Sequence, residues 1–144
     1  MNVLFVCLGN ICRSPSAEAV FRRIAPQVVT DSAGTQGWHQ GKQPYGPMQD
    51  AAKARGIDMS DLRARQFKKG DFDRFDVIIG MDAQNVEDIE SLRPQGNTTP
   101  VEVFTTYCSS GADHVPDPYY TRDFEGALDL IEECAKGLAQ KMSA

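Results

Sequence analysis

Apolar residues fall along this chain in two patterns. Short unbroken runs, Val3-Leu4-Phe5-Val6 and Val77-Ile78-Ile79, carry no polar alternation, which is the signature of strands buried on both faces of a sheet. Elsewhere the spacing is helical. Ala17, Val20, Phe21 and Ile24 recur until Pro26, with Ser14 suited to an N-cap and Pro15 to the first helical position. Met48, Ala51 and Ala52 predict a second helix ending near Gly56, where glycine supplies a left-handed cap. Asp82 caps a third, carrying Val86, Ile89 and Leu92 and stopped by Pro94. Phe124, Ala127, Leu128, Ile131, Cys134, Ala135, Leu138 and Met142 mark a long amphipathic C-terminal helix.

The remaining segments are weaker signals. Val28-Val29-Thr30 reads as a short strand, and residues 31–46 as a long connection rich in Gly, Gln and Pro that carries Trp38 and His39. Such a loop in a compact domain is usually functional or mobile. Residues 57–67 read as irregular or a short turn of helix, 68–75 as a helical turn and 96–100 as a turn. Val101-Glu102-Val103-Phe104 alternates weakly, as an edge strand does, and a polar loop follows to Tyr120. Strands alternating with helices predict an α/β fold with a mostly parallel sheet and right-handed connections.

Composition narrows this little. A length of 144 residues predicts one domain. Fifteen Lys and Arg against twenty Asp and Glu give a net charge of −5, with no basic stripe, so no nucleic-acid partner is expected. The start Met1-Asn2-Val3 lacks a charged leader, and no apolar run approaches the roughly 18 residues of a membrane span. A cytoplasmic protein with no membrane partner is expected, its Cys7, Cys12, Cys108 and Cys134 kept as free thiols. Cys108 and Cys134 read as packing residues, His39 and His114 as exposed loop residues. No zinc site is expected, because no second close cysteine pair accompanies Cys7 and Cys12.

The chemistry concentrates in Cys7-Leu8-Gly9-Asn10-Ile11-Cys12-Arg13-Ser14-Pro15. A tight loop between a buried strand and a helix aims backbone N–H groups at one point, and the helix dipole adds partial positive charge there. Neither common nucleotide-loop motif occurs in the chain. A thiol opens the loop and a guanidinium closes it. Such surroundings favour a thiolate at Cys7, Ser14 can donate to its sulfur, and Arg13 can grip two phosphate oxygens.

The chain resembles the low-molecular-weight protein tyrosine phosphatases. The resemblance runs nearly end to end: residues 3–15, Asp31-Ser32-Ala33-Gly34, Ala64-Arg65-Gln66, Phe75-Asp76 with Met81-Asp82, and Val115-Pro116-Asp117-Pro118-Tyr119-Tyr120. It implies a flavodoxin-like, Rossmann-like three-layer sandwich: a four-stranded parallel sheet of order 2-1-3-4 with helices on both faces. It also implies metal-free, cofactor-free hydrolysis through a phosphocysteine. Carried over, it makes Cys7 the nucleophile, Arg13 the clamp and Asp117 the general acid and then base. Backbone N–H groups from Leu8, Gly9, Asn10, Ile11, Cys12 and Arg13 would bind the phosphate. Asn10, at positive φ, would hold the loop with Ser14 and Ser32. A phenol ring would lie between Ile11, Trp38 and Tyr119, with Tyr120 beside it.

One departure stands out. Many members carry, two positions before Ala-Arg-Gln, a histidine that bonds the loop asparagine; here it is Leu62. The loop is then expected to be held by Ser32 alone or by water. Cys12 reads either as a core residue or as a partner for a protective Cys7–Cys12 disulfide. Tyr119 and Tyr120 read as a contact surface or as phosphorylation sites. The expected partner is a phosphotyrosine-bearing protein, with a bacterial tyrosine kinase as one candidate, and the expected assembly a monomer or weak homodimer. Three alternatives accompany this reading. Arsenate reductases of the lineage need further cysteines close together, which Cys108 and Cys134 do not supply in sequence. Arginine phosphatases have threonine where Ile11 stands, and a non-catalytic phosphopeptide-binding module would not need nucleophile, clamp and acid together.

Overall fold

The computed structural model describes residues 1–143. Its elements run β1 (Asn2–Cys7), α1 (Arg13–Ile24), β2 (Val29–Gly34), α2 (Gly46–Lys53), α3 (Asp71–Arg74), β3 (Val77–Gly80), α4 (Ala83–Glu90), β4 (Val101–Val103), a 3-10 turn (Phe104–Tyr107), α5 (Pro118–Thr121) and α6 (Phe124–Met142). The four strands form one parallel sheet in the order β2-β1-β3-β4.

Position in the sheet explains the sequence pattern. β1 is paired on both edges, by β2 and β3, and its two faces are covered by two separate core clusters. Val3 and Phe5 belong to the core shared with Phe21 of α1 and Leu128 and Ile131 of α6. Leu4 and Val6 face Phe72 of α3, Ile78 and Ile89 of α4. Phe5 sits at the centre, its ring 5.6 Å from Phe21 and 5.2 Å from Phe104. Truncating so enclosed an aromatic side chain costs about 3–5 kcal/mol. α6 buries Ala127, Leu128, Ile131, Cys134, Ala135 and Leu138, the face its periodicity predicts. Gly137 on that helix has no side chain because a Cβ there would overlap the Tyr107 carbonyl oxygen.

Three boundaries differ from the sequence pattern. β2 continues through Asp31-Ser32-Ala33-Gly34, residues assigned above to a loop; polar side chains mask the strand because Ser32 is buried for its hydrogen bonds. α1 begins at Arg13 and Ser14 makes no cap hydrogen bond, because its hydroxyl is turned to Cys7. The stretch before Tyr120 contains the 3-10 turn and α5. Among the described residues no helix is long and apolar enough to cross a membrane.

Candidate active site

β1 and α1 meet at the Cys7 loop, and the loop is turned so that its carbonyls face outward. The Cys7 carbonyl accepts from Thr35 N–H (2.8 Å), Leu8 from Gln36 (3.0 Å) and Ile11 from Tyr45 (2.8 Å). Cys12 accepts from the Ser16 hydroxyl at 2.6 Å. With these carbonyls occupied, the loop N–H groups are left for another partner. Asn10 N–H points to Cys7 Sγ at 3.3 Å, while the N–H groups of Leu8, Gly9, Ile11, Cys12 and Arg13 have no acceptor among the described residues. Donors aimed at one point at a helix start form an anion site.

Asn10 fixes the curl of the loop. Its φ is 56°, a left-handed conformation that asparagine tolerates. Its Nδ2 donates to Ser14 Oγ at 2.8 Å and Ser32 Oγ at 3.0 Å, and its Oδ1 accepts from Arg65 N–H at 3.0 Å. Loss of histidine at Leu62 therefore leaves the amide paired at both ends; the Arg65 backbone supplies the contact, so Ser32 does not act alone. Leu62 instead packs against the main core. Gly34, at the end of β2, lets the loop come close, since a Cβ there would lie 2.9 Å from the Leu8 carbonyl oxygen.

Arg13 is 3% exposed. Nη1 donates to Asp82 Oδ2 at 2.7 Å and to the Val115 carbonyl at 3.0 Å, and Nη2 lies 3.5 Å from Asp117 Oδ2. Its Nε is buried without a partner. One edge of the fork is thus anchored and the other offered, the geometry for gripping two oxygens of an anion. Burial opposes the charge, but the Cys7 sulfur, Asp82 and Asp117 outweigh it and push the guanidinium pKa up. Asp82 also caps α4 through Asn85 N–H at 2.7 Å, a double use that a capping rule alone does not reveal. Its place just beyond β3 was the available signal, because ligands bind at the carboxyl ends of parallel strands.

Asp117 arrives from the far side. Val115 N–H bonds the Met81 carbonyl at 2.9 Å, which draws the segment to the end of β3. Asp117 then caps α5 through Tyr119 N–H at 3.1 Å. Cys7, Ile11, Trp38, Asp117, Tyr119 and Tyr120 line a single cleft, as the sequence predicts. His39 lines it as well, against the expectation of a merely exposed loop residue: Gly9 lacks a side chain, and the ring fills that space. Tyr45 was not foreseen. Its ring is 5.1 Å from Tyr119, and Arg122, at φ 65°, donates to its hydroxyl at 2.9 Å. No local sequence signal announces that contact.

At the floor lies Cys7 Sγ, 3.0 Å from Ser14 Oγ. Beside it, burial, with Cys7 and Asp117 nearby, pushes the Cys12 thiol well up. All four cysteines are free thiols, and Cys108 and Cys134, far apart in sequence, are neighbours in space. Among the described residues no three His, Cys, Asp or Glu side chains cluster as a metal site would require. A thiol, a buried guanidinium with a free edge, converging N–H groups and a carboxyl at the mouth are suited to displacement at a tetrahedral oxyanion.

Known proteins resemble this chain in sequence and fold. A family profile described as low molecular weight phosphotyrosine protein phosphatase matches residues 2–144. The low molecular weight protein-tyrosine-phosphatase YfkJ of Bacillus subtilis is 43% identical over 139 residues, covering 92% of this chain and 89% of that protein. Its crystal structure superposes with a TM-score of 0.94 over 99% of this chain and 94% of that one. The human low molecular weight phosphotyrosine protein phosphatase is 39% identical over 150 residues, covering 97% of this chain and 94% of that protein. A Drosophila arginine phosphatase also superposes with a TM-score of 0.94, at 28% identity, over all of this chain (100%) and 99% of its own.

Proposed function

This chain belongs to the low molecular weight phosphotyrosine protein phosphatase family, and from that membership we propose that it hydrolyses phosphotyrosine in proteins, and small aryl phosphates, through a phosphocysteine. In the first step Cys7 sulfur attacks phosphorus, an S–P bond forms and the P–O bond to the phenol breaks. Asp117 gives its proton to the departing phenolate. In the second step Asp117, now a carboxylate, takes a proton from water as it attacks phosphorus; the S–P bond breaks and Cys7 leaves as thiolate. Arg13 and the loop N–H groups hold the equatorial oxygens through both steps, stabilising charge where it develops.

The observation that carries the reading is the place of Cys7, 3% exposed at the floor of a cleft walled by Ile11, Trp38 and Tyr119. A flat aryl ring fills that slot and spans its depth, whereas phosphoserine has too short a stem. The structural likeness to an arginine phosphatase supports a second reading, phosphoarginine hydrolysis, and apolar Ile11 disfavours it. The test is a panel of p-nitrophenyl phosphate and of peptides bearing phosphotyrosine, phosphoserine or phosphoarginine. Phosphotyrosine is expected to turn over fastest and Cys7→Ser to abolish turnover. Faster phosphoarginine release would reassign the substrate, and full activity in Cys7→Ser would end the mechanism.

A further inference from the structure

One buried acid has no part in that chemistry. Glu18 lies on the inward face of α1, one turn after Ser14, and is 7% exposed. Its Oε1 accepts from Ser32 Oγ at 2.7 Å. A solitary buried carboxyl is costly unless hydrogen-bonded, and its only hydrogen bond among the described residues leads to the Cys7 loop.

The proton directions along that path are fixed by elimination. Arg65 N–H can only donate, so Asn10 Oδ1 accepts from it at 3.0 Å and the amide orientation is set. Asn10 Nδ2 can only donate, so both Ser14 Oγ (2.8 Å) and Ser32 Oγ (3.0 Å) accept from it. Each serine then has one proton left to give. Ser32 has Glu18 Oε1 at 2.7 Å. Ser14 has Cys7 Sγ at 3.0 Å, with the Ala33 carbonyl further off at 3.3 Å.

We infer that Glu18 is a positioning residue for the reaction: by accepting the Ser32 proton it locks the Ser32–Asn10–Ser14 relay in the one polarity that aims the Ser14 hydroxyl at the Cys7 sulfur. It touches neither substrate nor sulfur. Without it the Ser32 hydroxyl is buried with no acceptor, the Asn10 amide loses one fixed anchor, and Ser14 is free to turn to Ala33. The sulfur then leaves the phosphoenzyme without its hydroxyl donor. Because substrate is gripped by Arg13 and the loop N–H groups, the loss falls on kcat and spares KM. This rests on the phosphocysteine reading above, although the relay itself does not.

The test compares Glu18→Leu, Glu18→Gln and Ser32→Ala in two assays on the intact protein. The first is the rate of Cys7 alkylation by iodoacetate against pH, which needs no turnover. The second is kcat and KM on p-nitrophenyl phosphate. For Glu18→Leu the alkylation curve is expected to move to higher pH and kcat to fall on the order of tenfold at unchanged KM, the scale of one hydrogen bond to a charged group. Glu18→Gln, which keeps an acceptor, should recover most of both. Ser32→Ala should reproduce Glu18→Leu, with the double variant no worse than either, and it carries the test if the leucine variant does not fold. An unmoved alkylation curve in both Glu18→Leu and Ser32→Ala would overturn the inference, as would a Glu18→Gln variant as impaired as the leucine. Absence of wild-type turnover would instead remove the phosphatase reading and leave the alkylation comparison to decide the relay.

Discussion

Asn10, buried in the Cys7 loop, is 2% exposed and its amide is bonded at both ends to three different partners. Tyr120, at the rim of the cleft, is 68% exposed, and its ring rests on Tyr119 at 5.3 Å. The two sides serve one reaction with opposite construction. The Cys7 loop is fixed from behind by buried polar groups. The rim is held by aromatic stacking and by the Asp117 cap at the start of a single helical turn. Preorganisation is concentrated where charge develops, and the looser part meets the variable surface of a substrate.

The largest separation of the two sides should come from Asp117→Asn. Asparagine can still cap α5, so the rim survives while the proton donor is lost. The expected result is a fall in kcat of about 10²–10⁴-fold on phosphotyrosine, and much less on p-nitrophenyl phosphate, whose leaving group needs little protonation. Equal losses on both substrates would mean that Asp117 positions the rim and does not supply the proton.

A second separation uses pH. Burial, with Asp31 nearby, pushes the Glu18 carboxyl up to about 7 from its ordinary 4.5, although Ser32 and Arg22 pull the other way. The folded state binds this proton more tightly than the unfolded chain does. Glu18 therefore contributes most stability below pH 4.5, and that contribution is lost as pH rises through about 7. Glu18→Gln escapes the loss. Its thermal midpoint should gain on the wild type as pH rises from 5 to 8, by several degrees. A gain that shrinks with pH would mean that the carboxylate is better solvated than its burial indicates.

The smallest expected effect lies at Leu62. Because Arg65 N–H already occupies Asn10 Oδ1, Leu62→His should leave kcat within about twofold and cost about 1 kcal/mol of stability through lost packing. A rise in both turnover and stability would show that the loop lacks a contact after all.

Legibility in the sequence followed the same division. The unalternated runs at β1 and β3 were readable because a strand covered on both faces must be apolar throughout, and the α6 periodicity because one stripe meets the core. Cys7, Arg13 and Asp117 were readable from motif and resemblance; Cys7 and Asp117 line one cleft, and Arg13 Nη2 lies 3.5 Å from Asp117. Local rules failed where a tertiary partner outbid them. Ser14 has the chemistry of a cap, but Cys7 sulfur and Asn10 claim its hydroxyl. Ser32 looks like loop because nothing local says that Asn10 and Glu18 meet there. Glu18 left a faint signal, an acid on the same helix face as Ser14, Ala17 and Phe21, where an unpaired charge is out of place. His39 left only its place on the long loop after β2, and Tyr45 left none, since its contacts with Tyr119 and Arg122 form only when separate loops fold together.

The claim beneath all of this is that the sulfur of Cys7 carries the phosphoryl group between two steps. Rapid acid quenching during turnover of a 32P-labelled phosphotyrosine peptide, followed by mapping of the labelled residue, tests it directly. A burst of labelled protein is expected, with the label on Cys7, and none in Cys7→Ser. Label on Ser14 or Asp117, or turnover with no labelled protein at any time, would contradict it.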